Sequence, residues 1–321
     1  MNERKIVVLG TGGTVAGVSA QAGDNVGYQA AQIGIAELVA GIPGLGSLVL
    51  VTEQVAQVDS KDMDLRTWRA LALRCAHWLG QVDVQGIVIT HGTDTLEETA
   101  WFLQCVLAPG KPVVLTCAMR PATALMPDGP QNIADAVAVA SHPRAHGVVA
   151  VCAGTIHGAR DVAKAHTYRL DAFSSGDAGP LGYVEEGRVR QLRDWPAGEP
   201  SARLEAMPDE TAGEAWPRVE IVMSHAGANG AVVRGLLGHG VDALVVAGTG
   251  NGTLHHALEA ALLEAQGQRV RVVRATRCAN GRVIAHGADR FPDSEGLSPV
   301  KARISLLLEL LRPPGPRKRG P

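Results

Sequence analysis

The chain has few cysteines, and they are not arranged as a zinc site or as a disulfide framework. The five cysteines are odd in number and scattered, and no CxxC pair occurs. Zinc ligands commonly come in such pairs, and disulfide frameworks use even sets. We therefore expect buried, reduced thiols, as is typical of a cytoplasmic protein. The cysteines are Cys75, Cys105, Cys117, Cys152 and Cys278.

Long hydrophobic runs and clustered basic residues are also scarce. No apolar run reaches the ~18 residues that a membrane-spanning helix needs, so we expect no membrane partner. Residues 1–5 lead directly into an apolar segment without a signal peptide, which predicts a cytoplasmic location. The formal net charge of -2 argues against nucleic acid as a partner, because phosphate binding needs a clustered basic surface. The one basic cluster, at 317–319, lies beside prolines and predicts a disordered tail over 313–321.

What the chain does contain is a regular alternation of strand-like and helix-like segments. This alternation predicts an α/β fold with a mostly parallel sheet and helices on both faces. A polar, proline-bearing stretch at 191–216 predicts a linker between a larger N-terminal domain at 1–190 and a smaller C-terminal α/β domain at 217–312. The predicted strands are 5–10, 48–52, 86–90, 112–116, 147–152, 219–223, 243–247 and 270–273, and the predicted helices are 61–79, 95–108, 130–140, 228–237, 253–266 and 299–311.

Two threonine-rich turns directly follow predicted strands. Residues 10–17 have the sequence Gly-Thr-Gly-Gly-Thr-Val-Ala-Gly, and residues 90–95 have the sequence Thr-His-Gly-Thr-Asp-Thr. In open parallel sheets, ligands bind at the carboxyl ends of strands. A hydroxyl is a poor nucleophile by itself and needs a positioned base or a neighbour that takes its proton. The two turns therefore predict a hydroxyl nucleophile with a proton network, to which Lys164 at a third strand end could contribute.

On the residues alone, plainer interpretations stay open. The first turn could be a tight turn or a dinucleotide loop, although Val15 occupies the third small position of the G-x-G-x-x-G pattern. Thr95 and Glu98 form a T-x-x-E capping box, so the second turn could serve only as a helix cap. Lys164 could be an ordinary surface lysine.

A metal site is the weakest of the open alternatives. His255 and Glu259 have the i, i+4 spacing of one helix face, with His256 beside them, but no third ligand is evident. We expect these side chains to be exposed polar groups in the first turn of a helix.

The two turns together resemble the signatures of the bacterial-type L-asparaginases, the asparaginases and glutaminase-asparaginases that use a threonine nucleophile. The signatures are 11–17 and 86–100, and the resemblance extends over nearly the whole chain. It implies hydrolysis of the side-chain amide of L-asparagine to L-aspartate and ammonia through an acyl-enzyme ester, without a metal or organic cofactor. Supporting segments are 59–63, 117–121, 128–132, 158–164, 179–182 and 248–252.

The resemblance also implies a catalytic role for five residues. Thr14 would be the nucleophile, with Tyr28 beside its hydroxyl. Thr93, Asp94 and Lys164 would form a second hydroxyl–acid–lysine set that activates water or the nucleophile. The order in which the two threonines act is left open.

A second set of residues would bind the substrate. Asp94 would bind the α-ammonium group, and Ser60 with nearby backbone would bind the α-carboxylate. The backbone of Thr93 would help to hold the oxyanion, and the carbonyl of Ala118 would contact the leaving amide. Lys61 stands beside Ser60 where many family members have glutamine, and it could strengthen carboxylate binding or crowd the site.

Family members commonly assemble their active sites between two subunits, which implies self-association as a dimer or tetramer. Asn251 would then be contributed across the interface. Thr253 follows the 251–252 pair where asparagine or serine is common, and the stretch 278–287 has no glutamate to send into a neighbouring pocket. These departures bear on substrate preference, so a glutaminase-asparaginase, another small-amide hydrolase or a non-catalytic amino-acid-binding relative stays an alternative.

Overall fold

The computed structural model describes residues 4–21 and 23–311, and the chain divides into two compact units, Met1–Pro200 and Ser201–Pro321. The α/β class with a larger and a smaller sheet is confirmed. The predicted tail at 313–321 lies outside the described residues. The predicted domain limits at 190 and 217 stay a prediction.

The first unit alternates strands and helices along the chain. Its strands are β1 (Lys5–Gly12), β2 (Val18–Ser19), β3 (Tyr28–Gln29), β4 (Val49–Val58), β5 (Val84–Thr90), β6 (Val113–Thr116), β7 (Val148–Cys152), β8 (Thr155–Gly158), β9 (Ala163–Lys164), β10 (Phe173–Ser174), β11 (Gly182–Glu185) and β12 (Arg188–Gln191). Its α-helices are α1 (Ile35–Ala40), α2 (Leu65–Leu79), α3 (Leu96–Leu107) and α4 (Gly129–Ala140).

An eight-stranded sheet in the order β12-β11-β8-β7-β6-β5-β1-β4 organises this unit. The five strands from β7 to β4 pair in parallel, and β8, β11 and β12 extend the sheet with antiparallel pairs. Strands β5, β6 and β7 are almost entirely buried, as expected for parallel strands covered on both faces. The sequence did not predict the antiparallel edge, because these four-residue strands are too short for a clear hydrophobic period.

Helix α2 begins four residues later than predicted. The carboxylate of Asp64 accepts a hydrogen bond from the Thr67 amide at 2.7 Å and caps the helix there. The preceding residues Ser60–Asp62 form a separate 3₁₀ turn. The helix then buries Trp68, Leu71, Ala72 and Cys75 at helical spacing, which holds it on the sheet.

The second unit is a smaller three-stranded parallel sheet in the order β13-β14-β15 with helices packed on it. Val246, Leu258 and Leu262 are fully or almost fully buried in its core. Across residues 4–21 and 23–311, no helix is long and apolar enough to cross a membrane. The elements are β13 (Val219–Met223), α5 (Ala231–Gly238), β14 (Ala243–Gly248), α6 (His256–Gly267), β15 (Arg271–Thr276) and α7 (Pro299–Leu310).

Four of the five cysteines are buried thiols, as expected, but Cys278 is exposed. Cys117 and Cys152 follow or end the neighbouring strands β6 and β7, and their sulfur atoms lie 3.2 Å apart. The contact with Cys152 and burial raise the pKa of the Cys117 thiol well above its usual value.

Candidate active site

The two threonine turns meet at the ends of adjacent parallel strands. Strands β1 and β5 are paired so that Gly10 lies opposite Thr90, which brings both turns out of the same sheet edge. The Thr11 hydroxyl, which is buried, donates a hydrogen bond to the Thr90 carbonyl at 2.8 Å. One turn therefore cannot shift without disturbing the other.

Two glycines allow the turns to touch through their backbones. Gly13 has a φ of 81°, and a Cβ placed there would overlap the backbone of Gly92. A Cβ at Gly92 would in turn overlap the Ser60 hydroxyl. A residue larger than glycine at position 13 would push the two backbones apart, because its Cβ would meet backbone atoms and not a flexible side chain that could move.

Thr14 opens a short 3₁₀ turn and is 6% exposed. Its hydroxyl lies 2.7 Å from the phenol oxygen of Tyr28. Tyr28 lies in β3, which pairs with β2 as a short antiparallel ribbon and returns the chain to the turn that carries Thr14. In the loop before Tyr28, backbone amides of Gly27 and Val26 lower the pKa of the Asp24 carboxyl.

A second polar set centres on Lys164. Its ammonium donates to the Thr93 hydroxyl at 2.8 Å and to the Asp94 carboxylate at 2.6 Å. Lys164 lies in the short strand β9, which pairs with β10, and its side chain is 19% exposed, whereas that of Asp94 is 51% exposed. The ion pair therefore opens to solvent on its acidic side, where a small charged ligand could reach the carboxylate.

Ser60 joins the turn at 60–62 to the second threonine turn. Its hydroxyl accepts a hydrogen bond from the Asp94 amide at 3.2 Å, and its carbonyl accepts one from the Thr95 hydroxyl at 2.7 Å. The capping box predicted from Thr95 and Glu98 is therefore wrong for Thr95, whose side chain makes no capping hydrogen bond to α3. Its hydroxyl instead connects two loops that are 35 residues apart in the chain.

Comparisons with known proteins show the family of the chain. Residues 5–197 match the family "Asparaginase, N-terminal" and residues 218–317 match "Glutaminase/Asparaginase C-terminal domain". The chain belongs to the asparaginase family. It is 37% identical to a glutaminase-asparaginase of Pseudomonas fluorescens biotype A over 96% of this chain and 86% of that protein. It is 35% identical to L-asparaginase 2 of Escherichia coli strain K12, over 98% and 90% respectively.

A solved asparaginase structure is similar over almost its whole length. The crystal structure of a probable cytoplasmic L-asparaginase from Campylobacter jejuni matches with a TM-score of 0.89 at 36% identity. The match covers 97% of this chain and 96% of that one. The α/β fold with a larger and a smaller sheet is therefore that of an asparaginase-family enzyme.

Two predicted binding residues of this asparaginase-family chain, Lys61 and Asn251, make their described contacts within their own units. The Lys61 side chain is 60% exposed, and its ammonium pairs with Asp62 and, at 3.4 Å, with Asp59. Asn251, in the second unit, exchanges two hydrogen bonds with the backbone of Ile284, at 3.1 and 2.7 Å. The described contacts of Lys61 include neither Thr14 nor Lys164.

Metal-ligating residues are not clustered in residues 4–21 and 23–311 of this asparaginase-family chain, where no group of three or more His, Cys, Asp or Glu side chains could hold an ion. His255 instead caps α6, with its Nδ1 accepting a hydrogen bond from the Ala257 amide at 3.2 Å. The ring of His256 stacks on it.

The sequence pattern did not account for His91, a residue of the second turn whose side chain is fully buried. Its Nδ1 lies 2.8 Å from the Gly92 carbonyl, and its Nε2 lies 2.9 Å from the Thr99 hydroxyl, which also accepts from Trp68 Nε1 at 2.8 Å. The contacts are all satisfied when Nδ1 carries the proton and Nε2 accepts from Thr99. His91 therefore supports the turn from within the protein, as a neutral ring.

This histidine is expected to make the fold sensitive to mild acid. Burial lowers the pKa of His91 from 6.5 to about 4. Between these pH values the unfolded chain binds a proton that the folded chain does not, so stability falls as the pH drops through this window and levels off below it. The expected contribution is about 3 kcal/mol.

The measurement is the free energy of unfolding in urea at several pH values, for the wild type, His91→Gln and the exposed control His256→Gln. His91→Gln is expected to be less stable at neutral pH but to lose much less stability on acidification. An equal slope in His91→Gln and the wild type would contradict the assignment of a neutral buried ring.

Proposed function

We propose that the chain hydrolyses the side-chain amide of L-asparagine to L-aspartate and ammonia through an acyl-enzyme on Thr14. The observation that carries the proposal is the meeting of two hydroxyl sets at adjacent strand ends, Thr14 with Tyr28 and Thr93 with Lys164 and Asp94. A hydroxyl nucleophile needs a neighbour through which its proton can pass, and each threonine hydroxyl has a polar hydrogen-bond partner within 2.8 Å. Relatives at 34 to 37% identity include enzymes named L-asparaginase and glutaminase-asparaginase.

The proposed reaction has two balanced halves. Thr14 Oγ1 attacks the amide carbon, its proton passes through Tyr28 towards the leaving nitrogen, and the carbon–nitrogen bond breaks to release ammonia. Water then attacks the ester on Thr14, its proton passes through the Thr93 hydroxyl, which Lys164 holds, to Thr14 Oγ1, and the bond between the acyl carbon and Oγ1 breaks. The Thr14 hydroxyl is reformed as L-aspartate leaves.

The substrate would be held by charge and by backbone groups. Asp94, whose carboxylate is half-exposed beside Lys164, binds the α-ammonium, and Ser60 binds the α-carboxylate. The backbone amide of Thr93 stabilises the oxyanion, because donors aimed at developing charge lower the barrier most. The carbonyl of Ala118 accepts a hydrogen bond from the leaving amide.

Lys61 is proposed to bind the same carboxylate as Ser60. For this, its ammonium would exchange Asp59 and Asp62 for the substrate. Exposed ion pairs of this kind are weak, so the exchange costs little.

The test is ammonia release by the purified protein from L-asparagine, L-glutamine and D-asparagine side by side. Release from L-asparagine that is lost in Thr14→Ala would support the proposal. Comparable release from L-glutamine would favour the second candidate, a glutaminase-asparaginase, which the Pseudomonas fluorescens relative's name suggests. No release from any of the three would sink the proposed reaction and favour a non-catalytic amino-acid-binding relative.

We further propose self-association as a dimer or tetramer, with Asn251 contributed to a neighbouring subunit's pocket. Sedimentation equilibrium tests the assembly, and a monomer with full activity would exclude that role of Asn251.

A cytoplasmic location is also proposed. It agrees with the description of the Campylobacter jejuni relative, whereas a Haemophilus influenzae relative is described as periplasmic. Cell fractionation decides between them.

A further inference from the structure

We propose that Asp128 is a positioning residue, which aims the carbonyl of Ala118 at the leaving amide and makes it a stronger hydrogen-bond acceptor. This inference rests on the proposed function, because it concerns the amide that the reaction releases. It assigns a task to a carboxylate that touches neither Thr14 nor Lys164 in the described contacts.

Asp128 occupies the N-cap position of α4 but does not cap the helix. Aspartate at this position normally accepts hydrogen bonds from the first helical amides, and here no such bond is made. The carboxylate instead turns to the loop after β6. Its Oδ2 accepts from the Met119 amide at 2.9 Å, and its Oδ1 accepts from the Arg120 amide at 3.0 Å.

The Met119 amide belongs to the same peptide unit as the Ala118 carbonyl. A peptide unit is planar and almost always trans, so its N–H and C=O point in opposite directions. Fixing the Met119 N–H on Asp128 therefore fixes the Ala118 oxygen on the side away from Asp128. One hydrogen bond to the carboxylate sets the direction of the acceptor.

Asn132 restrains the peptide unit on the other side of Ala118. Its side-chain amide donates to the Cys117 carbonyl at 2.9 Å and to Asp128 Oδ2 at 3.2 Å, and its oxygen accepts from the Ala153 amide at 3.0 Å. Asn132 is 3% exposed, so these bonds are shielded from water. Ala118 is thus held between two fixed peptide units.

The loop that carries Ala118 lies against the turn that carries Thr14. A Cβ built on Gly129 would lie 2.8 Å from Val15 Cγ2 and 3.5 Å from Ala118 Cβ. Val15, which follows Thr14, and Ala118 therefore both lie against Gly129. The Ala122 amide also donates to the Gly17 carbonyl at 3.0 Å, which ties the two loops together further along. Ala118 is therefore held in a loop that packs against the Thr14 turn.

The charge of Asp128 adds to its positional effect. Hydrogen bonds to an ionised carboxylate are stronger than neutral ones, and donors and acceptors in a chain polarise each other. An N–H that donates to a carboxylate leaves more negative charge on the oxygen of the same peptide unit. The Ala118 carbonyl then attracts the N–H groups of an amide, and of the ammonia it becomes, more strongly than an unassisted carbonyl.

The test compares Asp128→Asn with the wild type on two substrates that differ in the leaving group. L-Asparagine offers N–H groups to Ala118, whereas L-aspartate β-methyl ester offers none, and both form the same acyl-enzyme. The ratio of kcat/KM for the amide to kcat/KM for the ester is expected to fall about tenfold in the variant. Aspartate formation is measured for both substrates.

Three controls make the outcome decisive. Asp64→Asn removes a carboxylate that caps α2 and is expected to leave the ratio unchanged. Asn132→Ser keeps the Asp128 contacts with the loop and is expected to lower the ratio by a smaller factor, about threefold. It also provides a second measurement if circular dichroism, the third control, finds Asp128→Asn unfolded.

An unchanged ratio in both folded variants, or equal losses for amide and ester, would overturn the inference, because a merely structural residue lowers both rates together. That outcome differs from failure of the proposed function. If the wild type released no ammonia from L-asparagine, the reaction itself would be excluded, whereas an active wild type with a constant ratio excludes only the role of Asp128.

Discussion

Replacing Thr14 by alanine is expected to lower the turnover of L-asparagine by a factor on the order of 10⁴ or more while the protein still folds. The substitution removes the atom that is proposed to attack the amide. The one side-chain partner of the hydroxyl in the described structure is Tyr28, on the short hairpin of β2 and β3. Thr14 is 6% exposed, and alanine removes only a hydroxyl and a methyl group there, so the fold is expected to persist.

The measurement is steady-state ammonia release, with thermal unfolding recorded on the same samples. Thr11→Val is the matched control, because it removes a buried hydroxyl from the same turn that bonds to the Thr90 carbonyl and not to Tyr28. It is expected to lower stability by roughly 1 kcal/mol and to keep most of the activity. Near-normal turnover in a folded Thr14→Ala protein would remove the acyl-enzyme from the proposal.

Lys164→Met is expected to lower kcat about 10²- to 10⁴-fold with a much smaller change in KM. Methionine fills a similar volume but can neither donate to the Thr93 hydroxyl nor balance the Asp94 carboxylate, which Lys164 now contacts at 2.8 and 2.6 Å. The lysine is proposed to move a proton rather than to touch the substrate, so chemistry suffers more than binding. The Asp94 carboxylate is 51% exposed and stays solvated without its partner.

The matched control for this variant is Lys111→Met. Lys111 is also a hydrogen-bonded lysine, but its ammonium donates to the carbonyls of Leu79 and Gln81 and so ties two loops together. It is expected to lower stability without changing kcat. If Lys164→Met changed KM alone and kept kcat, the lysine would be a binding residue and the proposed proton relay would be wrong.

The sequence was sufficient for those parts of the fold that repeat locally. The buried parallel strands β5, β6 and β7 carry continuous apolar runs and could be placed to within two residues, whereas β4 continues six residues beyond its predicted end and the short helix α1 was not predicted. The threonine turns could be placed at strand ends because apolar runs precede both. The family and the α/β class that followed from these segments are confirmed.

The contacts that shape the site could not be predicted in this way, because each joins residues far apart in the chain. Ser60 accepts a hydrogen bond from the Asp94 amide 34 positions later, and Lys164 reaches Thr93 across 71 positions. Asp128 is of a residue type favoured at helix N-caps, yet its carboxylate accepts hydrogen bonds from another loop. The roles assigned to single residues therefore remain predictions that these variants address.

The contact between Gly13 and Gly92 has a consequence for how substrate preference could be altered. Because the two turns touch backbone to backbone, the spacing between the Thr14 and Thr93 hydroxyls is not adjustable by exchanging side chains there. Selectivity must be tuned from the surroundings, where the Tyr28 hairpin and the Ser60 turn can vary in sequence. To change which amide is accepted, substitutions should be made in the Tyr28 hairpin and the Ser60 turn, and Gly13 and Gly92 should be kept.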